Sequence, residues 1–158
     1  MFTETEWAYW AGFLDADGCI CLTGTKGKIP VIAIVLTQGN PHILELGYGK
    51  LKIGHIYKVS PSRSNRGGGI TFDWRISQPK DARFFLCGIE PYLQIKKDQA
   101  QIAIELCNLK MTWAKGGEHQ YPMPQEIKNA QWELVYKMRE LKKKEHELKT
   151  EKQQHWHR

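Results

Sequence analysis

The spacing of apolar residues changes along the chain, and each change marks an element. Trp7, Trp10, Phe13 and Leu14 recur at helical intervals, while Ala8, Ala11, Gly12 and Asp15 fall on the other side. Thr3 and Glu6 form a capping-box pair just before that run. A helix is therefore predicted from Glu4 to about Asp15, closing near Gly18, where glycine tolerates a left-handed turn. Two β-branched-rich stretches follow, Cys19 to Thr25 and Ile29 to Thr37, separated by Gly24, Lys26, Gly27 and Lys28. They read as a hairpin with a basic tip. Asn40-Pro41 opens a short helix to about Leu46, which Gly47 and Gly49 should end.

A second strand pair is expected at Gly54 to Val59 and Ile70 to Ser77. Between them lies a glycine- and serine-rich loop carrying Arg63 and Arg66 and no acid. In the last strand Ile70, Phe72, Trp74 and Ile76 share one face, and Thr71, Asp73, Arg75 and Ser77 the other. That alternation describes a half-buried antiparallel strand with a polar face open for contact. Helices follow at Pro79 to Cys87 and Lys96 to Leu109, then a Gly- and Pro-containing connection from Lys110 to Pro124. A long helix should run from Gln125 to about Lys152. Ile127, Leu134, Met138, Leu141 and Leu148 make its apolar stripe, with Gln131 and Glu145 in the missing slots.

The order α-β-β-α-β-β-α-α implies an α+β domain with helices on one face of a four-stranded antiparallel sheet. A core over residues 1–112 and a C-terminal helical extension over 113–158 is the expected division. The first helix has no internal repeat.

Charge narrows the partners. The formal net charge is +6 and the sequence pI about 9.1, which favours a polyanion. No apolar run is long enough for a membrane span, and Glu4 and Glu6 stand where a signal peptide carries positive charge, so an intracellular protein is expected. Cys19, Cys21, Cys87 and Cys107 include no C-x-x-C pair and no histidine at ligand spacing, which reads as buried free thiols rather than a zinc site.

The chemistry concentrates where the first helix ends. By itself Asp15-Ala16-Asp17-Gly18 does no more than turn a helix end. With a small-residue stripe before it, two such helices can pack closely and bring two Asp17 carboxylates together. Like charges at close range call for a cation, and hard divalent ions take oxygen ligands of this kind, shared with phosphate. Such an arrangement suits metal-assisted phosphodiester hydrolysis.

The segment Trp10-Ala11-Gly12-Phe13-Leu14-Asp15-Ala16-Asp17-Gly18 resembles the LAGLIDADG motif, with Trp10 and Phe13 in place of aliphatic residues. With one motif and the order of elements above, the chain is similar to the single-motif branch of the LAGLIDADG homing endonucleases. The resemblance implies an αββαββα fold whose sheet binds DNA, and a homodimer, often intron-encoded, joined through Ala8, Ala11, Gly12 and Asp15. Such a dimer would cut a long, nearly palindromic duplex site. It implies Asp17 and the Ala16 carbonyl as ligands of Mg²⁺, with Mn²⁺ or Ca²⁺ able to substitute for binding. Gln38 would orient water and Lys96 would support the phosphate chemistry. A lysine at a helix start opposes the helix dipole, which favours a functional reason for Lys96. DNA contacts are expected from Lys26, Lys28, Arg63 and Arg66 on loops, and from Tyr57, Thr71, Asp73 and Arg75 on strands. The second strand departs from the pattern: Val31, Ala33 and Val35 alternate with Ile32, Ile34 and Leu36, so both its faces are apolar. The alternative from another class is a non-cleaving binder, such as a maturase that holds RNA.

Overall fold

The structure, a computed structural model, describes residues 1–24, 28–60, 69–114 and 123–156. Helix α1 (Glu4–Asp17) is followed by strands β1 (Cys19–Thr23) and β2 (Val31–Gln38) and helix α2 (His42–Leu51). Strands β3 (His55–Val59) and β4 (Thr71–Ile76) come next, then α3 (Pro79–Ile89), a short 3-10 turn at Glu90–Tyr92, α4 (Lys97–Ala114) and α5 (Gln125–Trp156). The fold is α+β, as the periodicities imply. The four strands form one antiparallel sheet in the order β1-β2-β4-β3.

Directly paired residues share a sheet face, so the register sorts the side chains. Cys19 pairs with Val35, Cys21 with Ala33 and Thr23 with Val31. Val35 pairs with Arg75 and Thr37 with Asp73, while Arg75 and Asp73 also face His55 and Tyr57 of β3. These residues line one face, which is open except at the fully buried Ala33. On the opposite face Ile20, Ile32, Ile34, Leu36, Trp74 and Ile76 are buried with residues of α1, α2, α3, α4 and α5 in one core. Trp10, Trp74 and Phe85 stand edge to face within it, at centroid distances of 5.2 and 5.6 Å.

The helices run longer than their glycines and spacing suggest. Helix α2 continues through Gly47 and Gly49 to Leu51 and ends at Lys52, the residue with φ of 57°. Gly47 is a site of close approach rather than a stop, because a Cβ there would lie 2.4 Å from Trp10 Cζ2 and 2.6 Å from Trp74 Cζ3. Helix α1 likewise reaches Asp17. Gly18 has φ of −86° and ψ of 169°, an extended conformation and not the expected left-handed one. Its smallness is used instead, since a Cβ would meet Leu14 Cδ1 at 2.5 Å and Leu36 Cδ2 at 2.9 Å. Helix α4 includes Lys110–Ala114, which the sequence reading places in a connection.

The α1 capping box forms as read: the Glu6 N–H donates to Thr3 Oγ1 at 3.3 Å, and the Thr3 N–H donates to Glu6 Oε2 at 2.9 Å. In α5 both polar residues of the apolar stripe turn inward. Glu145 accepts from Gln99 Nε2 at 2.7 Å, while Gln131 is fully buried. The thiols are less buried than expected: Cys107 is buried, Cys19 and Cys21 are half-buried, and Cys87 is exposed. Among the described residues no helix is long and apolar enough to cross a membrane.

Candidate active site and nucleic-acid interface

The two acids at the end of α1 have opposite surroundings. The Asp15 carboxylate faces its own chain, where Oδ2 accepts from the backbone N–H groups of Gln94 and Ile95 at 2.7 and 3.2 Å. Its Oδ1 accepts from the Lys96 N–H at 2.9 Å. These donors are the amides that lead into α4, so Asp15 caps that helix across the fold. Its oxygens are thus engaged within the subunit. Asp17 is exposed, and its carboxylate accepts no hydrogen bond from the described residues. Ala16, also exposed, sits beside it.

Lys96 is neither a surface lysine nor free to swing. It is 9% exposed, and its ammonium donates to the carbonyls of Leu14 and Asp15 at 2.8 and 2.6 Å. Carbonyls at a helix C-terminus lack helical partners and attract cations, so Lys96 fastens the end of α1 directly before Asp17. Gln38 ends β2. Since Cys19 pairs with Val35, Gln38 lies past the start of β1, at the same end of the sheet as Asp17. Its Oε1 accepts from the Gly39 N–H at 3.0 Å.

A recess of about 270 Å³ opens beside Asp17, bounded also by Lys96, Gln99, Lys142, Glu145 and His146. Lys142 and His146 come from α5 and were not singled out from the sequence. The signal available for them was indirect: Glu145 interrupts the apolar stripe, and its hydrogen bond to Gln99 is what brings this stretch of α5 to the site. Lys142 also donates to Cys19 Sγ at 3.5 Å. A hydrogen bond from the Cys21 thiol at 3.2 Å, helped by the Lys142 charge, holds the Cys19 thiol down to about 5 despite its burial. The same hydrogen bond pushes the Cys21 thiol up.

On the outer side of α1, Ala8 and Gly12 are exposed, and a Cβ on Gly12 would meet nothing within 4 Å. Ala11 does not join them. It is fully buried against the chain's own core, with Trp10 and Leu14. The exposed stripe is Thr5, Ala8, Tyr9, Gly12 and Ala16.

The open sheet face gathers several of the expected contact residues. Arg75 and Tyr57 are exposed, and Thr71 and Asp73 half-buried. The β3 register sets Tyr57 opposite Asp73, on this face. Asp73 accepts from Thr37 Oγ1 at 2.7 Å, a cross-strand bond that fixes both side chains. Val31 and Val35 are half-buried and Ala33 fully buried, leaving a narrow apolar strip between the thiols of β1 and the polar residues of β4. Lys28 is exposed ahead of β2, at the far end of the hairpin from Asp17. Lys26, Arg63 and Arg66 lie outside the described residues.

One chain supplies hard oxygen donors at the helix end, the Asp17 carboxylate and the Ala16 carbonyl, of the type that Mg²⁺ takes. Among the described residues no group of three or more His, Cys, Asp or Glu could hold a metal by itself. A divalent ion at this point therefore fits these donors when a second carboxylate comes from elsewhere.

No family model and no curated protein matches the sequence. Solved structures do. The archaeal intron-encoded homing endonuclease I-Vdi141I, complexed with DNA, aligns with a TM-score of 0.65 at 18% identity, over 87% of this chain and 84% of that one. The homing endonuclease I-CvuI, in complex with a DNA target in the presence of 2 mM Mg and with the DNA not cleaved, aligns with a TM-score of 0.54 at 18% identity, over 84% of this chain and 96% of its own. The LAGLIDADG meganuclease I-AabMI, bound to uncleaved DNA, gives 0.55 at 21% identity; 81% of this chain matches 42% of that one. With its sheet order, its motif helix ending in Asp17 and these likenesses taken together, the chain has the fold of the LAGLIDADG homing endonucleases.

Proposed function

We propose that this protein is a site-specific, divalent-metal-dependent DNA endonuclease that acts as a homodimer on a long, nearly palindromic duplex. The observation that carries the reading is the contrast at the end of α1, where Asp15 and Lys96 are consumed in holding the helix end while Asp17 is exposed and accepts no hydrogen bond from the described residues. A purely structural turn has no need to brace the backbone directly before an exposed carboxylate.

The dimer follows from the outer stripe of α1. Glycine inside a helix costs about 1 kcal/mol relative to alanine, and Gly12 relieves no clash within its own chain. Close approach of a second α1 along Ala8, Gly12 and Ala16 would use that missing side chain and set the two Asp17 carboxylates side by side. The match to less than half of I-AabMI is consistent with one copy here standing for half of such a unit. A two-fold enzyme then reads a two-fold site.

Asp17 and the Ala16 carbonyl would hold the cation. I-CvuI has been crystallised on DNA targets with 2 mM Mg and with 2 mM Ca. When bound, such an ion supplies Lewis-acid neutralisation of charge at the phosphate. The chain's own residues do the rest. Lys96 keeps the α1 terminus, and hence Asp17, in a fixed position. Lys142 places positive charge in the recess beside Asp17. Gln38 orients water from the strand end, using the amide group that its bond to Gly39 leaves over. Tyr57, Thr71 and Arg75 contact the duplex from the open face, with Lys28 reaching it farther out.

Selection of cleaved products from a randomised duplex library, with Mg²⁺ and with Ca²⁺, tests activity and site symmetry at once. Asp17→Asn should lower cleavage by about a hundredfold or more while duplex binding in Ca²⁺ is kept. Normal cleavage by that variant would sink the assignment. Duplex or RNA binding by the wild type without cleavage in any divalent ion would instead favour a splicing or regulatory binder.

A further inference from the structure

At the end of the β1–β2 hairpin remote from Asp17, the hairpin, the last turns of α4 and the first turns of α5 enclose a recess of about 420 Å³. Lys28, Lys110 and Lys128 line it, with Gln131 and Trp132 from α5. Among the described residues no carboxylate lines it, and none of the three lysines forms an ion pair. Lys110 is half-buried, and that burial pushes its ammonium below the ordinary lysine range. Like charges lining one recess repel one another, and partial desolvation makes this worse.

Gln131 is the second, independent sign. It occupies a slot of the apolar stripe of α5 and is fully buried, yet neither its amide nitrogen nor its oxygen finds a partner among the described residues. A buried amide left unsatisfied costs about 1–3 kcal/mol. The same position filled by leucine would extend the stripe without that penalty, so packing does not explain it. The recess also adjoins the N-terminal turns of the 32-residue α5, the positive end of its dipole.

We propose that this recess binds a backbone phosphate of the duplex, held by Lys28, Lys110 and Lys128 with the Gln131 amide donating from the floor; the polyanion is assigned on the strength of the endonuclease reading above. Position favours a phosphodiester over other anions. From the Cys19–Val35 pair to the Thr23–Val31 pair is four strand steps, about 13 Å, and Lys28 lies beyond. At about 3.4 Å per base pair, the recess is at least about four base pairs outward from the Asp17 end. The C-terminal helix thereby becomes part of the DNA footprint, adding affinity without sequence reading.

Binding of a 30-base-pair duplex of random sequence is measured in Ca²⁺ across a salt series, for wild type, Lys110→Gln/Lys128→Gln, Gln131→Met and a control, Lys80→Gln on α3. The double variant should flatten the dependence of log Kobs on log salt by about 1.8, the contribution of one phosphate at each of the dimer's two recesses, and the control should not. Gln131→Met should weaken binding and raise the melting temperature, since it removes the orphaned amide but keeps the volume. An unchanged slope in a folded double variant overturns the site. Thermal melting with inorganic phosphate gives a readout that does not need DNA: the wild type should be stabilised and the double variant not. If the wild type binds no duplex yet responds to phosphate through these lysines, the endonuclease reading falls and an anion site stands. If phosphate shifts neither protein and no duplex binds, both fall. Asp17→Asn should respond to inorganic phosphate in thermal melting as the wild type does, so loss of cleavage and loss of this contact are separable.

Discussion

The inner and outer sides of α1 obey different rules although they share one short sequence. Inward, every group has a partner: Trp10, Ala11 and Leu14 are buried, and the Asp15 oxygens take three backbone amides. Outward, Gly12 faces open space and Asp17 accepts nothing from the described residues. Stability is concentrated on one side, and the other is the side on which the proposed dimer would form. An α-helix whose small residues served only its own fold would show the reverse, with glycine at the buried contacts and large residues outside.

Pairs of substitutions can break that contrast. The largest stability effect is expected at a buried glycine. Gly47→Val on α2 drives a side chain into the Trp10 and Trp74 rings, where even a Cβ lies within 2.6 Å of each, and should cost about 3 kcal/mol. Gly12→Val on the outer side of α1 should cost well under that in the monomer, close to the propensity difference alone, while abolishing the dimer in sedimentation. If Gly12→Val leaves the dimer intact, the outer stripe is not its interface. The next effect is at Asp15. Asp15→Asn keeps the shape but gives up the charge that strengthens three amide contacts, and should lower stability by about 2 kcal/mol in denaturant titration. Asp17→Asn should leave the denaturant midpoint unchanged. Two acids separated by a single alanine would thus divide fold from chemistry.

Much of this was legible from the residues alone. The capping box, the alternation of β4 and the end of α1 at the motif acids all follow from local spacing, and the structure realises them. What local spacing misreads are contacts made at long range. Gly47 resembles a helix stop, but the space it leaves is filled by Trp10 and Trp74 from two other elements. Ala11 shares a helical stripe with Ala8 and Gly12 only if the stripe is drawn wide; the core reaches far enough round to claim it. Asp15 and Lys96 are 81 residues apart, and no periodicity announces that one would cap the other's helix in both directions. The same is true of Lys142 and His146, which reach the site because the polar residue Glu145 in an apolar stripe finds Gln99. Polar residues in apolar slots were the useful signal, and in α5 Glu145 marks the place where Gln99 is held.

The start of α1 offers the smallest and most local test. There the Thr3–Glu6 box satisfies the first amides without help from the core, and Lys50 of α2 pairs with the Glu6 carboxylate. Thr3→Ala should cost about 1 kcal/mol, read from the denaturant midpoint. The hydrogen bond from Lys50, with that from the Thr3 amide, holds the Glu6 carboxyl down from 4.5 to about 2. A carboxyl with a folded value below its unfolded one stabilises above the unfolded value and loses that contribution as pH falls through the folded one. The gap in melting temperature between wild type and Glu6→Gln should therefore be full near neutrality, shrink below about pH 4.5 and vanish near pH 2. A gap that persists at the acid end would mean that Glu6 acts through shape and not charge, and α1 would then be anchored at its start by packing, as it is along its inner side.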